Sequence, residues 1–465
     1  MNLKIRRLIY LSFFAVFIIS GSALLFYLQG FRYNSERGRV ERTGAIMATA
    51  QPLGSNIVIN GGVQKENTPS TIQSLQPGNY EVIIRQDGYQ TWKKNLEVKP
   101  SRVTFTGPVT LWPQPSVGKL IASEPISDFS PAPNGETVLY YVPTGLQSGL
   151  WLINISTGTT TLLSRPSSNF LKIEWAPSSR QVLIGEKRGS LMTWRRFNLE
   201  QKIWHNVNLP AELIPQSIHW GNDDDELYFA TNKELYRINL SNNEVKFIWN
   251  IELNDFRVHG RLIFALAKTS SSGFTLKALN RSNLQLVPIS DVPALSTNLS
   301  FLTSRGDWLP LFDHDRHALY LLQSPLTSTE PIRRLSEVTA VDWLPDGSKL
   351  LLANNFEIWS YDLENSNLNL LLRLSTPLVR ARLYSNEPYL LYAVGQEIWA
   401  LEFDTRDEQQ RWLIAKYNED IQDIFLDVQG KSMLVKTTAG FYYQQLNLAT
   451  LPAGGLQAWL PLAKN

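Results

Sequence analysis

Histidine is scarce in this sequence, and one run concentrates it. Asp313-His314-Asp315-Arg316-His317 places two imidazoles and two carboxylates within five residues. These are the ligand types that bind zinc and other transition metals. The run also falls where one β-strand should turn into the next, before Ala318-Leu319-Tyr320. A solvated hairpin loop explains it without a metal. Asn222-Asp223-Asp224-Asp225-Glu226 is dense in carboxylates but lacks the spaced ligands and the glycine of an EF-hand loop. Its place matches the tight turn Pro345-Asp346-Gly347. No G-x-S-x-G elbow, P-loop, dinucleotide fingerprint or H-E-x-x-H occurs. Paired carboxylates for glycoside hydrolysis need only meet in space, and nothing in the sequence selects a pair. With no cysteine, thiol catalysis, cysteine–zinc sites, iron–sulfur clusters and disulfides are all excluded. The expectation is a non-enzyme with no catalytic residue, metal or cofactor.

The elements that would position any site repeat along the chain. An aromatic or large apolar residue recurs as Leu150-Trp151, Thr193-Trp194, Leu235-Tyr236, Thr275-Leu276, Leu319-Tyr320, Ile358-Trp359, Ile398-Trp399 and Phe441-Tyr442, spaced by 39 to 44 residues. An apolar run such as ETVLYYV (136–142) or SKLLLAN (348–354) precedes each marker. Upstream of most lies a short strand ending in a turn, as in Asp128-Phe129-Ser130-Pro131, Glu174-Trp175-Ala176-Pro177, His219-Trp220-Gly221-Asn222 and Asp342-Trp343-Leu344-Pro345. A fourth run follows most markers. Four strands in about 42 residues make a propeller blade, and blades stack around an axis because one sheet cannot bury both its faces. Eight blades are counted. Seven is the alternative, since repeats four and five (roughly 255–337) are the least regular. Either LQAWLPL (456–462) or Lys119-Leu120-Ile121-Ala122 could supply the last blade's fourth strand, and the second choice would tie the ring shut. Periodic tryptophans (151, 194, 359 and 399; 175, 220 and 343) are expected between blades. Trp92, Trp112, Trp308, Trp412 and Trp459 are off the pattern; they are the better candidates for exposed contacts, and some of them are expected in the core as well.

At the other end, residues 8–28 carry no charged side chain. As a helix they would span roughly 31 Å, about the thickness of a hydrocarbon core. Lys4, Arg6 and Arg7 precede the run and favour a cytoplasmic N-terminus, although Arg32, Arg37, Arg39 and Arg42 follow it. The apolar run continues past the small residues Gly21-Ser22-Ala23, so an uncleaved anchor is favoured over a signal peptide. Residues 1–42 hold seven Lys/Arg against two Glu, and the remainder holds 37 against 40 acidic residues. A body so close to neutral gives no electrostatic case for nucleic acid.

Residues 44–112 consist of short β-type runs punctuated by Pro and Gly. Gln76-Pro77-Gly78 suggests a type II turn with Gly78 at positive φ, and Asp87-Gly88 a hairpin. In order come Pro52-Leu53-Gly54-Ser55, Ile57-Val58-Ile59-Asn60-Gly61, Thr68-Pro69, Leu75-Gln76-Pro77-Gly78-Asn79-Tyr80-Glu81-Val82 and Gly88-Tyr89. This series resembles the PEGA domain, with a degenerate naming tetrapeptide. The resemblance implies a small β-sandwich at a bacterial surface, with no catalytic residues. Trp343-Leu344-Pro345-Asp346-Gly347 resembles the TolB-type propeller repeat, and Ser130 to Gly135 and Trp175 to Ser179 match it more loosely. The Trp-Asp dipeptide of WD repeats is absent. Ile398-Trp399-Ala400-Leu401-Glu402 with Trp412 is similar to the quinoprotein-like repeat of eight-bladed assembly scaffolds.

The expected molecule is an all-β ectodomain on one N-terminal transmembrane helix. It runs as a cytoplasmic stub (1–7), a helix (8–28), a juxtamembrane linker or helix continuation (29–43), a PEGA-like β-sandwich (44–112) and a β-propeller (113–463). It is single-pass in a bacterial cell membrane, bound to lipid through residues 8–28. Its expected task is to dock an envelope protein or a cell-wall or surface glycan. Turn loops at Pro131–Gly135 (with Asn134), Pro177–Arg180, Gly221–Asp224 (with Asn222 and Asp223) and Pro345–Gly347 (with Asp346) form one equivalent set on a single rim, the candidate binding site. The alternatives are an enzyme acting on envelope glycan or a quinone-type cofactor, and an envelope assembly scaffold. A charged cluster converging at one axial end would mark the enzyme; a shallow aromatic and polar rim would mark the scaffold.

Overall fold

The computed structural model describes residues 3–34, 38–123, 126–165, 170–188, 191–269, 273–289, 295–323, 332–343, 347–384 and 388–446. Its one helix among them is Leu3–Leu28. Ile9–Leu28 is long and apolar enough to cross a membrane and is not buried against the rest of the chain, a signature that anchors and signal sequences share. The helix stops at Gly30, whose φ of 84° suits only a residue without a Cβ. The segment expected as a linker or helix continuation corrects to a β-hairpin, Phe31–Asn34 paired with Arg39–Arg42. Gly30 breaks the helix, and Phe31, Tyr33 and Val40 favour extended chain.

A β-sandwich follows. One sheet orders Ser70–Leu75, Gly44–Gln51 and Val103–Thr110; the other orders Gly62–Val63, Asn56–Ile59, Gly78–Arg85 and Trp92–Val98. Burial alternates strictly along Gly44–Gln51 and along Trp92–Val98, the mark of sheets with one buried face. Gly78 is not among the positive-φ glycines; it opens its strand, and the nearby left-handed residue, Ser74, lies at an irregularity within the preceding strand, Ser70–Leu75.

Beyond residue 118 the described residues form eight four-stranded sheets, or blades. Their innermost strands are Asp128–Pro131, Phe170–Trp175, Ser217–Trp220, Leu253–His259, Leu299–Phe301, Ala340–Trp343, Leu378–Leu383 and Ile421–Leu426, for blades 1 to 8 in turn. Lys119–Ala122 pairs with Gly440–Gln445 as the outer strand of blade 8, so the start of the propeller completes its end. Residues 456–462 lie outside the described residues. A separate apolar core fills every gap between neighbours, from blades 1 and 2 (Leu139, Tyr141, Val182, Ile184) round to blades 8 and 1 (Phe425, Phe441, Val138, Tyr140). The middle strands are apolar on both faces because each face meets a different neighbour. Trp175, Trp194 and Trp220 are buried in these cores, and Trp151, Trp343, Trp359 and Trp399 are packed against them.

The described off-pattern tryptophans take the core side of the expectation rather than the exposed one. Trp92, Trp112 and Trp412 are buried, Trp308 packs against the core between blades 5 and 6, and Trp459 lies outside the described residues. Trp92, Trp112 and Trp412 break the repeat because they fill one core shared by the sandwich and blades 7 and 8. Trp112 meets Tyr384 and Tyr389 edge to face, at ring centroid distances of 4.8 and 5.8 Å. Trp92 Nε1 donates to Glu402 at 3.0 Å, Trp412 Nε1 to the Thr91 carbonyl at 3.2 Å, and Gln90 to the Leu413 carbonyl at 2.8 Å. The sandwich is thereby fixed to the outer side of the ring.

Candidate binding rim and axial channel

The turns after the inner strands of blades 1, 2, 3 and 8 are built alike. Ala132 N–H bonds to the Thr137 carbonyl, Ala176 to Gln181, Gly221 to Glu226 and Asp427 to Ser432, at 2.9 to 3.1 Å. Gly135, Ser179, Gly347 and Gly430 take left-handed φ values of 62 to 74° in the turns of blades 1, 2, 6 and 8. From blade 1 to blade 4 each loop grips the next. Asn134 N–H donates to Ser179 Oγ at 3.0 Å, the Ser178 hydroxyl to Asp224, and the Asn222 amide to the Gly260 carbonyl. The loops of blades 1 to 4 therefore form a linked stretch of rim.

Three hollows open on or beside that rim. One, about 630 Å³, lies between blades 8 and 1 and is lined by Glu136, Asp427, Val428 and Tyr443. A second, about 540 Å³, is lined by Pro131 and Asn134 together with Phe301, Trp343, Arg382 and Val428. A third, about 270 Å³, is lined by Pro177 and Asn222 together with His259 and Asp307. Arg305 lines the second and the third. Four of the expected residues thus gather around two neighbouring depressions. Arg180 instead pairs with Glu200 at 3.3 Å, and Asp223 accepts the Asp225 N–H at 3.1 Å, both inside their own blades. Pro345 and Asp346 lie outside the described residues. Phe301 and Arg305 were missed because blade 5 is the least regular repeat. Val428, more than half exposed, had no signal beyond standing at the turn position of the last repeat. His259 is buried, its Nε2 has no hydrogen-bond partner among the described residues, and burial holds its pKa below the ordinary value.

Inside the ring, the inner strands bring charges together that the sequence leaves far apart. His219 sits between Glu174 (Nδ1 to Oε2, 2.9 Å) and Asp255 (Nε2 to Oδ1, 2.6 Å). Arg257 reaches Glu174 at 3.1 Å and Lys172 reaches it at 3.5 Å. Burial pushes Asp255 up to about 6 and pulls Lys172 down. Across the ring, Arg380 grips Asp423 with two bonds of 2.9 and 3.0 Å, and Arg382 bridges Asp423 (3.4 Å) and Asp342 (3.3 Å). Each group holds two carboxylates against two cations, with His219 besides. One signal was legible: Glu174, His219, Asp342 and Arg382 each stand one residue before the last large residue of an inner strand. The sequence could not say which of them would meet.

The two dense runs serve as turns. Asp313 is fully buried, accepting the Ser296 hydroxyl at 2.6 Å and the Arg316 N–H at 3.1 Å, while His314 Nε2 is 2.9 Å from Ser300 Oγ. His317 takes the left-handed position. The expected solvated loop is thus pinned by a buried carboxylate. In the acidic run Glu226 accepts Arg281 and lies 3.5 Å from Arg237. No group of three or more His, Cys, Asp or Glu among the described residues is arranged to hold a metal ion.

A family model described as the PEGA domain matches this chain. The match covers residues 43–108, the β-sandwich. No curated protein matches the chain. Solved structures similar to it include the C-terminal WD40 domain of Sif2 (12% identity, TM-score 0.48, covering 73% of this chain and 99% of that one). The Dos1 propeller is similar at 10% identity (TM-score 0.48, 72% and 96%). An oligogalacturonate lyase in complex with manganese is similar at 12% identity (TM-score 0.38, 71% and 98%).

Proposed function

We propose that this chain is a non-catalytic docking protein of the bacterial cell envelope. The helix at 9–28 stays in the membrane with its basic end in the cytoplasm, and the PEGA domain and propeller stand on the extracytoplasmic side. The rim of turn loops binds an envelope protein or a cell-wall or surface glycan. The observation that carries this reading is the 540 Å³ hollow lined from blades 1, 5, 6, 7 and 8 at the level of the turn loops. It presents Pro131, Phe301, Trp343 and Val428 beside Asn134, Arg305 and Arg382, a surface both apolar and polar. The reading is tested by incubating the full-length protein, in detergent, with solubilised envelope proteins and with wall fragments. Val428→Asp should lower capture at least tenfold without changing the melting temperature. Equal capture by both proteins would contradict the rim.

The enzyme reading is favoured by one observation, the convergence of Glu174, His219, Asp255, Arg257 and Lys172. Two features weigh against it. Both ring nitrogens of His219 are engaged, and the two carboxylates are balanced by two cations, both of them on Glu174. Turnover of wall fragments that Glu174→Gln abolishes would favour the enzyme.

A further inference from the structure

We propose that the hairpin between helix and PEGA domain is a seat for anionic phospholipid headgroups. The proposal rests on the reading that the helix stays in the membrane.

Position comes first. The apolar window ends at Leu28 and the hairpin starts at Phe31. Headgroups occupy roughly the 5–8 Å outside the hydrocarbon, so the hairpin lies in that layer. Tyr27, exposed at the helix end, is at the level where interfacial aromatics settle. The opposite end carries the same device, since the Arg6 guanidinium stands over the Tyr10 ring.

The second argument is chemistry. The Arg32 guanidinium lies 3.5 Å from the Tyr27 ring centroid and donates to the Tyr27 and Phe31 carbonyls at 2.7 and 2.9 Å. The Arg42 guanidinium stands over the Phe31 ring at 4.9 Å, and the register sets Phe31 opposite Arg42. In an antiparallel pair, opposite residues share a face, so Phe31, Tyr33, Val40 and Arg42 form one face. Tyr33 and Val40 are both more than half exposed. An apolar, aromatic face with a guanidinium at its edge fits a bilayer surface, and the planar guanidinium matches phosphate oxygens. Arg39, by contrast, is paired with Glu41. Arginines just outside a span oppose the usual charge bias; a lipid phosphate supplies the counter-charge.

The third argument is the connection onward. Thr43 bonds to the Gly30 carbonyl through N–H (2.8 Å) and hydroxyl (3.0 Å), and Gln76 of the PEGA domain donates to the Tyr33 carbonyl at 3.2 Å. A seated hairpin would therefore fix how the ectodomain stands on the membrane.

The test places the full-length protein in nanodiscs of phosphatidylcholine, with and without phosphatidylglycerol. Hydrogen exchange is read for peptides covering 29–43, with 44–110 as the internal control. Phosphatidylglycerol should slow exchange in the hairpin alone, by roughly 30-fold at low salt if both arginines bind. Arg42→Gln, whose side chain donates to no backbone carbonyl among the described residues, should lose much of that effect, and Arg39→Gln should keep it. Equal exchange in the two lipids, or an unchanged effect in Arg42→Gln, overturns the seat. The anchor reading is checked separately in cells, by recovering the intact 1–28 segment from carbonate-washed membranes. Its loss would refute the anchor whatever the exchange shows.

Discussion

Lys94 is fully buried between the PEGA domain and blade 7, yet all three of its ammonium protons have acceptors. They reach Glu402 at 2.8 Å and the carbonyls of Asp404 and Arg406 at 2.6 and 2.8 Å. Glu402 in turn accepts Trp92 Nε1 and the Gln410 N–H, each at 3.0 Å. Removing one partner leaves the other charge buried and unpaired, so Lys94→Ala should cost about 3–5 kcal/mol. Lys94→Met combined with Glu402→Gln should recover much of that loss, as thermal melts of the wild type and the two variants would show. Asp255 makes the opposite prediction with pH. Its folded pKa, raised to about 6, exceeds the unfolded 3.8, so the folded state binds the proton more tightly. The group therefore costs stability above about pH 6, and that cost is relieved as pH falls towards 4. Asp255→Asn should be the more stable protein at pH 7, with the difference shrinking towards pH 4. Because Lys172, Glu174, His219 and Arg257 share the cluster, Glu174→Gln is the control for a general loss of charge.

At the scale of elements, closure of the ring rests on the pairing of Lys119–Ala122 with Gly440–Gln445. Gly440 has φ 146°, and a Cβ there would stand 1.8 Å from the Ala122 carbonyl oxygen. Gly440→Ala should therefore peel the closing strand from blade 8, lowering the melting temperature and speeding exchange of the 119–122 amides. An unchanged melt would place the closure elsewhere. Most of this architecture was legible because propeller strands announce themselves locally. KLLLA and its equivalents are apolar on both faces, and turn residues recur at a fixed period. The hairpin at 31–42 was missed because its strands are only four residues long and half charged. Which off-pattern tryptophans are core was illegible for a different reason. A residue off the repeat is equally free of the repeat whether it faces water or another domain, and only the fold brings residue 92 beside 402. The rim fared in between: position in the repeat located Pro131, Asn134, Pro177 and Asn222, but not their neighbours from blade 5.

At the scale of the whole molecule, helix, hairpin, PEGA domain and propeller form one connected chain of contacts. The helix end is tied to the hairpin by Arg32, the hairpin to the PEGA domain by Gln76, and the PEGA domain to blades 7 and 8 by a common core. Such a molecule presents its rim in a set direction, as a docking protein requires. The most direct test is photo-crosslinking in living cells from single positions on the two rims of the propeller. Asn134 and Val428 report on the rim of turn loops; Leu146 and Asn232, both exposed, report on the opposite one. Adducts with one defined envelope protein or wall fragment from Asn134 and Val428, and not from Leu146 or Asn232, are the predicted result. Adducts from the opposite rim alone, or the same adducts from all four positions, would contradict docking through the rim of turn loops.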